Sequence, residues 1–134
     1  MSGARTIVVS AVVLRDDAGR VLTVRKRGTE RFMFPGGKPE PGESAAEAAV
    51  REAAEEVGAG LDVGALQLLG VFETAAANEP GYTVRATVFA HPPVEVGAAA
   101  AEIAELRWLD PAGPLPEDLA PLLREAVLPR LAEG

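Results

Sequence analysis

Residues 36–59 read GGKPEPGESAAEAAVREAAEEVGA. The first half is a Gly/Pro-rich loop. The second half is rich in alanine, the strongest helix former. Ser44, with Glu47 three residues on, makes a capping box and sets the helix start. Gly58 and Gly60 supply its stop, so the spacing predicts a helix from about Ala45 to Val57. On a helical wheel Ala46, Ala49, Val50, Ala53 and Val57 gather on one side, small enough to lie close against a sheet. Glu52, Glu55 and Glu56 gather on the other, close together and open to solvent. Like charges at that spacing repel, and a cation among them would relieve the repulsion. The segment therefore reads as a loop–helix site for a divalent metal ion.

The rest of the chain limits what such a site can serve. At 134 residues the length suits one domain, 1–134, with one core. The apolar fraction of 48% and charged fraction of 25% are those of a globular protein. No apolar run is long enough for a membrane span, so no membrane partner is expected. The N-terminal stretch MSGARTIVVSAVVLRDD reads as a first strand rather than a signal peptide. The chain has no cysteine, which excludes disulfides and thiolate metal sites and makes the cytoplasm the default location. The net charge of −7 argues against broad binding to a nucleic acid polymer. A polyphosphate is still compatible with it, where metal and a few basic groups neutralise the charge locally.

Working outward, residues 6–14 (TIVVSAVVL) read as a strand and Asp16–Gly19 as a turn. Residues 20–25 read as a second strand, the hairpin partner of the first. Residues 65–74 and 82–90 read as two longer strands joined by a loop containing Asn78, Pro80 and Gly81. Residues 106–109 read as a short strand. Glu117 to Leu131 carries apolar residues at helical spacing and reads as a closing helix, perturbed near Pro121 and ended around Pro129.

The central segment resembles the signature of the Nudix hydrolase family. Gly37, five residues, Glu43, seven residues, Arg51-Glu52, apolar Ala53, any residue, Glu55-Glu56, any residue, Gly58 and apolar Ala59 meet every defined position. Only the two apolar positions are weak, both being alanine. Taken singly, the glutamates read as a solvated helix face, Gly36-Gly37 as a turn and Arg51 as a surface ion pair; together they match a long and specific pattern. The resemblance implies an α/β/α sandwich, with a mixed sheet between the signature helix and a C-terminal helix. It also implies Mg²⁺- or Mn²⁺-dependent hydrolysis of a nucleoside diphosphate linked to another group. Glu55 and Glu56 are the leading metal ligands, with Glu52 a further ligand or the general base; which glutamate is the base stays open. Arg51 would orient the glutamates by pairing with Glu55 or Glu47. The backbone of Gly36 or Gly37 would reach the metal, and Glu43 would fix the loop. Family relatives are often homodimers, and no feature of this chain decides the matter.

Beyond the signature, the resemblance implies a downstream acidic residue completing the metal site, Glu105 first and Glu102 second. It implies basic groups on the phosphates: Lys38, then Arg25 and Arg27. His91 reads as a strand-end residue, Trp108 and Phe34 as core, and Asn78 as a turn former. The proline that marks ADP-ribose enzymes is missing at Thr74-Ala75, and the tyrosine that marks dinucleoside-polyphosphate enzymes is missing at Ala75–Ala77. The purine-reading asparagine of oxidised-dGTP enzymes is also absent, with Asp110 or Asp118 as its substitutes. Elimination leaves a nucleoside triphosphate, oxidised or not, as the expected substrate. ADP-ribose or nucleotide-sugar hydrolysis is the rival, together with a non-catalytic nucleotide sensor.

Overall fold

In the computed structural model, which describes residues 5–76 and 79–133, TIVVSAVVL becomes strand β1 (Arg5–Leu14). Every residue of its second half, Ser10 to Leu14, is buried. A strand buried at consecutive positions must be covered on both faces. Ala11 and Val13 enter a core with Leu119, Leu123, Val127 and Leu128. Val12 and Leu14 enter a second core with Ala49, Ala53 and Val57. The sheet thus lies between two helical layers, as the family resemblance implies.

β1 pairs antiparallel with the two-residue strand β3 (Gly36–Gly37) and parallel with β5 (Tyr82–His91). β5 in turn pairs antiparallel with β4 (Gln67–Ala75), giving a mixed sheet of order β3-β1-β5-β4. A second sheet joins β2 (Val21–Lys26) to β6 (Ile103–Leu109). The expected hairpin between the first two strands therefore does not form. The turn is there, with the Asp16 N–H donating to the Arg20 carbonyl at 2.9 Å, and one bridge links Arg15 to Val21. Beyond it the strands part, because both edges of β1 are already taken by β3 and β5. Asn78 lies outside the described residues.

Helix α1 (Ala45–Val57) has the expected bounds. The Ser44 hydroxyl accepts from the Glu47 N–H at 3.0 Å, and the Glu47 carboxylate accepts from the Ser44 N–H at 2.9 Å. Gly58 ends the helix in the left-handed region, at φ 63°. The face assignment needs correcting. Ala48 is fully buried, Val50 only half-buried, and Glu56 is not open to solvent but 1% exposed. Glu56 turns its carboxylate to the Gly36 N–H and Lys26, and the segment after β5 lies across the last turn of α1. It donates Gly97 N–H to Val57 O at 2.8 Å and Ala100 N–H to Glu56 O at 2.9 Å.

The closing helix also differs. It starts at Pro121, where proline's missing N–H has no partner to lose. A wide turn over Leu122–Val127 then leads into α2 (Leu128–Glu133), which runs past Pro129. Leu128 N–H reaches back five residues to Leu123 O, and this looser winding makes room for the Pro129 ring.

The close approach of α1 to the sheet depends on its alanines. Ala53→Leu should overpack a site with no free surface and cost about 1–3 kcal/mol, read as a lowered midpoint in thermal denaturation.

Candidate active site

The loop before α1 is held by one arginine. Arg51 donates Nε to Glu43 Oε2 at 2.8 Å and Nη2 to Glu43 Oε1 at 2.9 Å, a bidentate pair. Its Nη1 donates to Glu52 Oε2 and to Glu55 Oε1, each at 3.2 Å, and its Nη2 reaches the Lys38 carbonyl at 3.2 Å. The Arg51 guanidinium beside Glu43, aided by the Glu40 backbone, holds the Glu43 carboxyl down at about 2. Arg51 does not pair with Glu47, whose carboxylate is engaged in the cap.

Glu52 and Glu56 stand four apart on the face that meets Gly36 and Gly37. A Cβ on Gly37 would collide with Glu52 Oε2, and one on Gly36 would collide with the Ser10 carbonyl. Gly36 is thus required by close approach to fixed backbone, whereas a side chain at Gly37 would displace the Glu52 carboxylate. Gly36 N–H donates to Glu56 Oε1 at 3.2 Å. Glu56 Oε2 is buried without a hydrogen-bond partner, and Lys26 Nζ stands 3.6 Å away. Burial pushes the Glu56 carboxyl up to about 7, with Lys26 pulling the other way and Glu52 adding to the rise.

Lys26 is the residue that sequence reasoning missed. The expected basic groups were its neighbours, Arg25 and Arg27, but neither faces the glutamates. Arg25 donates to Thr29 O at 2.9 Å and to Glu105 Oε1 at 3.4 Å, and lies over Phe32 in the opposite core. Arg27 ties its N–H to Glu102 O and its side chain to Ala101 O. The signal was present in strand alternation: Leu22 and Val24 face α1, so Lys26 does too.

The same alternation corrects Glu105. As the cross-strand partner of Arg25 it shares that residue's face, away from α1, and is not brought to Glu52 and Glu56. Of the two groups suggested as purine readers, Asp118 is paired with Arg107 and Asp110 closes its own turn through the Ala112 N–H. His91 sits at a strand end, its Nε2 accepting from the Asp62 N–H at 3.0 Å. Phe34 is a core residue that also lines a cleft, and Trp108 is packed beside the second core.

Two adjoining clefts open beside these groups. One, of about 440 Å³, is lined by Lys26, Gly37, Lys38, Glu40, Arg51 and Glu52 among others. The other, of about 130 Å³, is mostly apolar and lies between Met33-Phe34 and Ala120–Leu123. They share Val9, Lys26, Met33, Gly37 and Val84 as a common wall.

Among the described residues no three acidic or histidine side chains are arranged as a metal cage. The donors present nonetheless suit a hard cation. They are carboxylate oxygens, one of them buried and unpartnered, beside backbone that glycine brings close. Mg²⁺ needs no full protein cage, since it keeps waters and binds substrate phosphates.

The family model described as NUDIX domain matches residues 4–130. The chain belongs to the Nudix family. A Bacillus subtilis (strain 168) protein described as a candidate 8-oxo-dGTP diphosphatase is 30% identical over 110 residues, 82% of this chain and 70% of that protein. An RNA pyrophosphohydrolase of Legionella pneumophila (strain Corby) is 42% identical over 59 residues, 44% of this chain and 33% of its own. Among solved structures, a MutT protein from Methanosarcina mazei Go1 superposes with a TM-score of 0.78 at 23% identity, covering 99% of this chain and 97% of that one. A MutT Nudix hydrolase from Burkholderia pseudomallei gives 0.73 at 24% identity, covering 96% and 97%. The Nudix chain is thus an α/β hydrolase of a family that generally uses divalent metal ions.

The buried carboxyl makes a stability prediction for the metal-free protein. Folded Glu56 holds its proton more tightly than an unfolded glutamate near 4.5. Its contribution is therefore fully present below that pH and is lost as pH rises through about 7. At alkaline pH, Glu56→Gln should raise the metal-free melting midpoint by roughly 2–6 °C, read by calorimetry. A midpoint unchanged or lowered at alkaline pH would contradict the buried-charge account.

Proposed function

We propose that this chain hydrolyses a nucleoside triphosphate, with oxidised deoxynucleotides included, to the monophosphate and pyrophosphate. The observation that carries the reading is the shared wall of the two clefts. A polyphosphate suits the compartment holding Lys26, Lys38 and Glu52; a flat apolar base suits the one between Phe34 and Leu122. The described relative from Bacillus subtilis supports the same class of substrate.

In this reading Lys26 and Lys38 meet the phosphate oxygens. Glu52 and Glu56, with Gly37 backbone, would hold Mg²⁺ or Mn²⁺, which would neutralise the phosphates and lower the pKa of a bound water. Glu55 is a weaker ligand than its place in the signature suggests, because its carboxylate sits at the exposed edge and lines neither cleft. Glu52 lines the cleft and Glu56 does not, so Glu52 takes the proton of the attacking water. The water oxygen bonds to phosphorus, the bridging P–O bond breaks, and the bond's electron pair leaves with pyrophosphate. Arg51, gripped by Glu43, keeps Glu52 in place. A nucleotide fits an acidic chain better than RNA does, since the basic groups are few and local. The absence of cysteine fits a reducing cytoplasm.

The test is phosphate release with Mg²⁺ from a panel of dNTPs, 8-oxo-dGTP, ADP-ribose, a nucleotide sugar and a 5′-triphosphorylated RNA. Turnover should be greatest with a nucleoside triphosphate, and Glu52→Gln should lower kcat about 10²–10⁴-fold. Preference for ADP-ribose or RNA would replace the substrate assignment, and no turnover at all would favour the sensor.

A further inference from the structure

On the face of β2 and β6 turned away from Glu52, a second charged assembly surrounds one aromatic ring. Arg107 donates Nη2 to Asp118 Oδ1 at 2.7 Å and Nη1 to Oδ2 at 3.2 Å. Its guanidinium lies 3.7 Å over the Phe32 ring, and Nε is buried there without a hydrogen-bond partner. Arg25 stands 6.0 Å from the same ring and pairs with Glu105. None of these groups lines either cleft.

What the assembly holds is the base of the apolar compartment. Phe32 N–H donates to Asp118 O at 2.8 Å, and Ala120 N–H donates to Phe32 O at 2.9 Å. Phe32 is thereby fastened between residues 118 and 120. The residues that follow it, Met33 and Phe34, form one wall of the compartment; the residues that follow Ala120 form the facing wall. Both walls spring from a single junction, and Arg107 clamps it by stacking on Phe32 while gripping Asp118.

Stability alone does not account for this pair. Both partners are partly exposed, where ion pairs contribute little. A buried, unpaired Nε is unfavourable, and an apolar side chain over Phe32 would avoid it. Two parallel hydrogen bonds supply what an apolar residue lacks, a fixed angle between the joined segments.

We propose that Arg107 and Asp118 are positioning residues that set the separation of the compartment walls, and so the affinity for the nucleoside part of the substrate. The inference rests on the nucleotide reading above.

The experiment compares Arg107→Met and Asp118→Asn with the parent enzyme. It measures kcat and KM for the best nucleoside triphosphate, and inhibition by inorganic tripolyphosphate, which has phosphates but no base. KM should rise roughly 5–20-fold in Arg107→Met and about 2–5-fold in Asp118→Asn, with kcat within about twofold. The tripolyphosphate inhibition constant should stay within about twofold in both. If Arg107→Met folds poorly, Asp118→Asn alone carries the comparison. Unchanged KM, or an equal loss of tripolyphosphate binding, overturns the clamp while leaving the hydrolase reading intact. A parent enzyme that turns over no nucleoside triphosphate overturns that reading, and the clamp with it.

Discussion

Glu56 is 1% exposed, with one oxygen on the Gly36 N–H and the other left without a hydrogen-bond partner. An ionised carboxylate in such a place is strongly disfavoured unless a cation joins it. Much of the surrounding structure brings that situation about. Gly36 must be glycine because the β1 backbone leaves no room for a Cβ, and a side chain at Gly37 would push the Glu52 carboxylate aside. Ser44 and Gly58 fix where α1 begins and ends, and so which residues face β3. The segment through Gly97 and Ala100 caps the last turn through backbone bonds to Val57 and Glu56.

Around that carboxylate the other charges fall into separate roles. Arg51 draws Glu43 and Glu55 to itself and steadies Glu52. Lys26 balances part of the buried charge and lines both clefts. Arg25 and Arg107 lie on the opposite face, beside the Phe32 ring. Two neighbouring residues of one strand, Arg25 and Lys26, therefore serve opposite sides of the protein.

The sequence made the local devices legible. The bounds of α1, its capping box and its glycine stop follow from short-range chemistry, and so does the clustering of Glu52, Glu55 and Glu56 along one helix; Glu43 and Arg51 join them through the family pattern. It was less informative where tertiary packing decides. The burial of Glu56 goes with contacts to Gly36 and Lys26, both outside the helix that carries it. The parting of β1 and β2 follows from strands that claim both edges of β1 and are invisible in a local window. The exchange of Arg25 for Lys26 was within reach, since alternation along Leu22, Val24 and Lys26 marks the face. The orientation of Glu105 was harder to see, because it follows from its pairing with Arg25, 80 residues away in the chain.

Burial holds a proton on the Glu56 carboxyl up to about pH 7, and a metal ion at this site would have to displace it. The most direct measurement is Mn²⁺ affinity by isothermal titration from about pH 5.5 to about pH 8.5, in the intact protein without substrate. Because the proton and the metal compete for one carboxyl, affinity should tighten by up to about tenfold per pH unit below neutrality. It should then level off above about 7, where Glu56 is already ionised. An affinity that is flat across that range, or that Glu56→Gln leaves unchanged, would contradict the central claim.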